Sequence, residues 1–176
     1  MIKILVVVDM QNDFVDGALG TAEAVKIVPE VAEKIRKFDG NEIFVTYDTH
    51  YENYSDTLEG KKLPVPHCIE GTKGHELNDS IKTALKGKNH IDIIKKTFGT
   101  FEIVETLKKR YPNEKIEAEI IGLCTDICVI SNALILRAGY PDSLISVDAH
   151  CCAGVTPETH SAALATMKCC QIDVIV

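Results

Sequence analysis

The sequence lacks the features that place a chain in a membrane or on a nucleic acid. Its 176 residues contain no apolar run near the roughly 20 residues that span a bilayer. The apolar stretch Ile4–Val8 is too short for a secretion signal. Positive charge is scarce, since 19 Lys and Arg stand against 26 Asp and Glu for a net charge of −7, whereas nucleic acids and anionic membranes need clustered positive charge. We therefore expect a cytoplasmic protein with no membrane or nucleic-acid partner.

Nucleotide-binding loops and a disulfide framework are also missing. No GxGxxG follows the first apolar run and no GxxxxGK[ST] occurs, so dinucleotide and P-loop functions have no support. The seven cysteines are odd in number and include the adjacent pairs Cys151-Cys152 and Cys169-Cys170, which does not suit a secreted disulfide framework. We expect reduced thiols, most of them small buried hydrophobes, with a chemical role for one or two at most.

Apolar periodicity divides the chain into alternating strands and helices. Strands are predicted at Ile2–Val8, Glu42–Tyr47, Ile91–Ile94, Ala118–Ile121, Leu144–Val147 and Ile172–Val176. Helices are predicted at 25–38, Leu77–Leu85, Phe101–Arg110, Thr125–Ala138 and Pro157–Lys168. Such alternation predicts an α/β protein, with residues 1–176 forming a single doubly wound domain. Its mainly parallel six-stranded sheet would carry helices on both faces.

Polar side chains follow the predicted strands at their carboxyl ends, where parallel sheets bind ligands. They are Asp9, Asp48, His50, Lys95, residues 124–128, Asp148 and His150. We therefore expect an acid, a base, a thiol and metal ligands along one edge of the sheet.

Two of these positions predict acid–base and thiol chemistry. Asp9 directly follows five apolar residues and could accept a proton from a neighbour, or merely start an Asx turn. Cys128 lies where a strand gives way to a helix, with Thr125 as the predicted N-cap. In the first helical turn, the dipole and free N–H groups favour a thiolate and could hold an oxyanion. A buried structural cysteine is the alternative.

The long segment Asp48–Gly74 carries residues suited to a divalent transition metal. They are Asp48, His50 and His67, with Glu59 or water as the fourth ligand. An irregular loop with solvated histidines is the alternative. A stretch of about 26 residues without secondary structure is uncommon in a compact domain and usually functional, which favours the metal site.

In combination, these segments resemble the isochorismatase-like cysteine hydrolases, and among them the nicotinamidases. Asp9 with Gln11–Phe14 resembles the first motif of the family, whose Asp is the catalytic acid/base. Gly122–Cys128 resembles the nucleophile motif, and Lys95–Phe101 resembles the lysine motif. This last match selects Lys95 over the lysine that follows it. Strand alternation allows only one of the two to point into the site.

The resemblance implies a mechanism as well. It implies a catalytic triad of Asp9, Lys95 and Cys128, and hydrolysis of nicotinamide to nicotinate through a thioester, a step of NAD salvage. It also implies a cis peptide before Cys124, with the N–H groups of Cys124 and Cys128 as the oxyanion hole. Phe14 and Phe98 would wall the substrate pocket.

One divalent metal is implied as cofactor, with zinc as the first choice and iron or manganese as alternatives. Asp48, His50, His67 and Glu59 are its expected ligands, and it would orient the pyridine nitrogen of a small carboxamide substrate. Two departures from the family pattern concern the substrate pocket. Pro64 stands where some nicotinamidases carry Trp, in a chain without any Trp, and Gly99-Thr100 replaces the commoner Ser-Ala.

Three other functions stay open from the sequence. The first is a metal-free hydrolase of the same superfamily that acts on another small amide or a vinyl ether. The second is a thiol redox protein that uses Cys124 and Cys128, and the third is a binding module without catalysis. The sequence sets no oligomeric state and is compatible with a homo-oligomer.

Overall fold

Six parallel strands form one sheet in the order β3-β2-β1-β4-β5-β6. The computed structural model describes all residues, Met1–Val176. The strands are β1 (Ile2–Val8), β2 (Glu42–Asp48), β3 (Ile91–Lys95), β4 (Ile116–Leu123), β5 (Leu144–Ala153) and β6 (Asp173–Ile175). Every neighbouring pair is parallel. The predicted doubly wound sheet is confirmed, and it is parallel throughout.

Helices cover both faces of the sheet. They are α1 (Asn12–Val15), α2 (Ala22–Lys37), α3 (Leu58–Lys62), α4 (Asp79–Leu85), α5 (Glu102–Arg110), α6 (Ile130–Gly139) and α7 (Pro157–Cys169). A 3₁₀ turn at Tyr54–Asp56 and a π-helical turn at Thr125–Val129 complete the set. None of the helices combines the length and apolar character that a membrane crossing requires.

Strand β1 shows why a continuous apolar run was the right signal for a central strand. Its side chains alternate between two apolar cores, one on each face of the sheet. Ile4, Val6 and Val8 pack with α5, α6 and α7, whereas Leu5 and Val7 pack with α1, α2 and α4. Because both faces are covered, no position on the strand requires a polar side chain.

Three local predictions were wrong. The segment Asp48–Gly74 is not free of secondary structure, since it contains the 3₁₀ turn and α3. Strand β5 does not end at Val147 but continues through a bulge to Ala153. Asp148 therefore lies inside the strand, where Lys34 of α2 neutralises it at 2.7 Å, and the exposed His150 lies on the same bulged stretch. Neither residue belongs to the candidate site described below.

Gly122 brings β4 unusually close to β1. Its φ is +117°, and a Cβ atom built there would overlap the carbonyl oxygen of Val8. Gly87 also has a positive φ, +78°, but nothing surrounds its Cβ direction. A substitution at Gly87 therefore measures the cost of the backbone conformation alone, whereas a substitution at Gly122 adds the cost of overlap between strands.

We expect Gly87→Ala to lower the free energy of unfolding by about 1–2 kcal/mol, the cost of a left-handed conformation. Gly122→Ala should cost at least twice as much, because strand β1 must also move away from the added methyl group. Urea titrations of both variants measure the difference. Equal losses of unfolding free energy would show that the close approach of β1 and β4 adds nothing to the cost of the Gly122 substitution.

Candidate active site

Three adjacent strands deliver a buried ion cluster at their carboxyl ends. The ammonium of Lys95, the last residue of β3, lies 2.7 Å from Asp9 Oδ2 and 3.2 Å from Asp48 Oδ1. It also donates to Cys128 Sγ at 3.5 Å. All four residues are buried. Lys96 points the other way and is exposed, with its ammonium over the ring of Tyr51.

Asp9 is held as a carboxylate with raised proton affinity. The chain turns there with a φ of +47°, and the hydroxyl of Thr46 donates to Asp9 Oδ1 at 2.6 Å. Burial raises the pKa of Asp9, although the Lys95 ammonium opposes this shift. Burial would lower the pKa of Lys95, but Asp9, Cys128 and Asp48 raise it above its ordinary value. The result is a charged lysine beside a carboxylate that is a stronger base than an exposed one.

Cys128 follows strand β4 on the π-helical turn. The Leu123–Cys124 peptide is cis, as the family resemblance implies. Burial and the neighbouring Asp9 carboxylate raise the pKa of Cys128 well above its ordinary value, with Lys95 opposing. The expected preference for a thiolate at the helix start is therefore wrong for this environment. A raised pKa favours the thiol, so its activation needs a base, and the neighbouring Asp9 carboxylate is the candidate.

The predicted N-cap is also wrong. Cys124 occupies the cap position, and its carbonyl accepts from the N–H groups of Ile127 and Val129. The hydroxyl of Thr125 is instead engaged with the His160 ring at 2.8 Å. Thr125 therefore ties the start of the turn to α7, whose first residues lie beside it.

Asp48, His50, Glu59 and His67 form a second cluster beside the first. Their ligand atoms lie within 4.8 Å of one another. His50 Nε2 is 3.1 Å from Asp48 Oδ2 and 3.6 Å from Glu59 Oε1. His67 Nε2 is 3.6 Å from Asp48 Oδ2 and 3.7 Å from Glu59 Oε1. The structure thus brings together all four residues that the sequence analysis named as ligands.

The chemistry of this cluster fits a divalent metal. Ligands at bond lengths of 2.0–2.1 Å around tetrahedral zinc are separated by about 3.3 Å, close to the separations observed. The Nδ1–H of His67 donates to the Val65 carbonyl at 2.8 Å, which leaves the Nε2 lone pair facing the cluster. Burial would raise the pKa of Asp48, but His50, His67 and Lys95 hold it well below its usual range. Asp48 would therefore offer a metal ion a charged oxygen.

Sequence reasoning missed Tyr54, which supports both histidines. Its buried ring meets His50 and His67 edge-on, with centroids 4.8 and 5.2 Å away. Its hydroxyl donates to the carbonyl of Leu63 at 2.8 Å. Its position between predicted ligands could have indicated this role, because a segment that holds a metal needs an apolar side chain to fix it to the rest of the fold.

A small pocket connects the two clusters. Its volume is about 50 Å³, which limits an occupant to a small molecule. Aliphatic walls come from Leu19, Leu63 and Ile127, and the two predicted aromatic walls, Phe14 and Phe98, both line it. Its polar lining is Asp48, Glu59, His67, Cys124 and Cys128. A bound molecule can therefore contact the thiol and the predicted metal ligands at the same time.

Comparisons with known proteins identify a family and a shared fold. Residues 3–175 match the isochorismatase domain family. The nicotinamidase/pyrazinamidase of Mycobacterium tuberculosis is 28% identical over 98% of each chain. The crystal structure of nicotinamidase/pyrazinamidase PncA from Bacillus subtilis superposes with a TM-score of 0.87 at 27% identity, over the full length of both chains. The pyrazinamidase of Pyrococcus horikoshii in complex with zinc gives a TM-score of 0.81 at 29% identity, over 99% of each chain.

We expect Lys95→Met to destabilise the fold by about 3–5 kcal/mol, because two buried carboxylates lose their shared counter-charge. Lys96→Met should change stability by less than about 0.5 kcal/mol, since its ammonium is at the surface. The free energy of unfolding in urea, measured at pH 7 with a chelator present, tests both. A large loss of stability for Lys96→Met and none for Lys95→Met would show that Lys96, and not Lys95, is the buried lysine.

Proposed function

Because the chain belongs to the isochorismatase family, we propose that it is a cysteine hydrolase that converts nicotinamide to nicotinate and ammonia. The observation that carries the proposal is the meeting of a thiol, a carboxylate and an ammonium at Cys128, Asp9 and Lys95, with Cys128 lining a pocket that also borders the cluster of predicted metal ligands. The nicotinamidase relatives support an amide hydrolase. The cysteine mechanism and nicotinamide as substrate are our inference.

The first half of the reaction forms a thioester. Asp9 takes the proton of the Cys128 thiol, and the Lys95 ammonium stabilises the thiolate. The sulfur attacks the carboxamide carbon, and the N–H groups of Cys124 and Cys128 hold the negative oxygen of the tetrahedral intermediate. Protonated Asp9 then gives its proton to the leaving nitrogen, so that the C–N bond breaks and ammonia departs.

The second half regenerates the enzyme. Asp9, again a carboxylate, takes a proton from a water molecule. The oxygen of that water attacks the thioester carbon. The C–S bond breaks, and Cys128 recovers a proton while nicotinate leaves. The raised pKa of Asp9 suits both of its roles, as a base and as an acid. A group that accepts and then donates a proton works best when its pKa is closer to the ambient pH.

The second cluster is proposed to orient the substrate. Zinc is our first choice of metal, with iron and manganese as alternatives, and Asp48, His50, Glu59 and His67 would hold it. When bound, the metal supplies a Lewis-acid position for the pyridine nitrogen. Phe14 and Phe98 would confine the ring from the pocket walls, so that its carboxamide faces Cys128.

A metal-free hydrolase of the same superfamily, acting on another small amide or a vinyl ether, is the second candidate. The aliphatic character of part of the pocket favours it, since Leu63 lines the cavity beside Pro64, where some nicotinamidases carry Trp. Ammonia release measured over a small panel of amides separates the two candidates.

Replacement of the nucleophile should abolish turnover. We expect Cys128→Ala to retain less than about one hundredth of the wild-type activity, because loss of the covalent route costs several kcal/mol of barrier. Cys124→Ala is the matched control. Its thiol also lines the pocket, but the proposed reaction uses only its backbone N–H, so this variant should keep most of the activity. Ammonia release from nicotinamide measures both. Loss of activity only in Cys124→Ala, or in neither variant, contradicts the assignment, and stoichiometric oxidation of both thiols without turnover favours a redox protein.

Removal of the metal should act selectively. After chelation, we expect hydrolysis of nicotinamide to fall far more than hydrolysis of benzamide, because only the pyridine ring has a nitrogen to bind. The measurement is ammonia release from both substrates, before and after zinc is restored. Equal losses would show that the metal supports the fold or acts on the carbonyl. Full nicotinamidase activity without metal would remove it from the mechanism.

A further inference from the structure

The segment Asp9–Asp13 runs from the end of β1 into α1. Besides Asp9, two of its other side chains contact the site. Gln11 and Asp13 follow Asp9 at alternate positions, and neither has a part in the proposed reaction. Both side chains nevertheless hydrogen-bond to the backbone of segments that carry the predicted metal ligands. Asn12, between them, bonds elsewhere.

Gln11 is fully buried, and its amide holds the backbone of Asp48. The Nε2 group donates to the Asp48 carbonyl at 2.8 Å, and Oε1 accepts from the Asp48 N–H at 2.8 Å. The remaining Nε2 hydrogen goes to the His75 carbonyl, also at 2.8 Å. The register of β1 and β2 ends with Val8 opposite Thr46, so the side-chain amide replaces the peptide group that β1 no longer offers to Asp48. Without it, two buried backbone groups would lose their partners.

Asp13 holds the other end of the ligand set. Its Oδ2 accepts from the N–H of Cys68, the residue after His67, at 2.8 Å. Cys68 has a φ of +46°, unusual for a residue with a side chain, and its carbonyl accepts from the His50 N–H at 3.0 Å. The Asp13 carboxylate therefore stabilises a backbone conformation that joins His67 to His50.

We infer that Gln11 and Asp13 are positioning residues for the metal, Gln11 through Asp48 and Asp13 through His67. The inference rests on the metal site of the proposed function. One five-residue turn, Asp9–Asp13, then supplies the base of the reaction and fixes the metal ligands relative to it. This segment therefore sets the distance between the proposed base and the predicted metal ligands.

The test is the affinity of the purified full chain for Zn²⁺, measured by competition with a chromogenic chelator in the absence of substrate. Gln11→Met keeps the side-chain length and removes all three hydrogen bonds, and Asp13→Ala removes the contact with Cys68. We expect each to weaken Zn²⁺ binding by about 10- to 100-fold, as loss of groups that orient metal ligands typically does. Asp13→Asn keeps an oxygen for the Cys68 N–H and should recover part of the loss.

Asn12→Ala is the matched control. It removes a side chain–backbone bond of 2.8 Å from the same turn, but that bond goes to the Lys73 carbonyl, away from any ligand. Its Zn²⁺ affinity should equal that of the wild type, even where its thermal midpoint falls. Equal affinities for all variants, or an equal loss in Asn12→Ala, would overturn the inference and reduce both residues to general support of the fold.

Failure of this inference is distinguishable from failure of the proposed function. Wild-type ammonia release tests the function, whereas the Zn²⁺ titration needs no substrate. A folded wild-type chain that binds no Zn²⁺ overturns the inference together with the metal site. If Gln11→Met does not fold, the comparison of Asp13→Ala with Asp13→Asn decides the outcome.

Discussion

The ammonium of Lys95 is buried between two carboxylates, and the arrangement of the whole site depends on it. Asp9 and Asp48 end neighbouring strands, and without a shared counter-charge their burial would be strongly unfavourable. Strand β3 provides that charge because its register places Lys95 beside Asp48. The ion cluster therefore requires this strand order. Burial raises the pKa of Asp9, which lies beside the Cys128 thiol, and the Lys95 ammonium opposes that shift.

Asp48 connects the ion cluster to the predicted metal ligands. One of its oxygens faces Lys95 and the other faces His50, so a single carboxylate belongs to both clusters. The pocket lies along this boundary, with the thiol among its lining residues. A substrate with two recognisable ends, a carboxamide and a ring nitrogen, suits such a site better than one with a single polar group.

The sequence was informative where one physical requirement governs each position. A strand covered on both faces must be apolar, so β1 and the order of elements were predictable. Strand alternation predicted that only one of Lys95 and Lys96 points into the site, and the match to the lysine motif of the family selected Lys95. The sequence misled where tertiary partners compete with local preference. Asp148 ends an apolar run and resembles a strand terminus, yet Lys34 from a helix neutralises it inside β5. Thr125 resembles an N-cap, yet its hydroxyl bonds His160.

By itself, the sequence determined the doubly wound sheet and the polar residues that follow β1 to β4, because periodicity is a local property. It placed Asp148 and His150 wrongly, because the end of β5 depends on tertiary partners. Only the tertiary structure decided the direction in which the pKa of Cys128 shifts. Burial and nearby carboxylates outweigh the helix terminus there, and neither effect can be read from neighbours along the chain. The tertiary structure also decided the contacts of Gln11, Asp13 and Tyr54. Gln11 bonds a residue 37 positions away and Asp13 one 55 positions away, and Tyr54 packs against His67 as well as the nearby His50. Such long-range contacts exist only once the chain has folded.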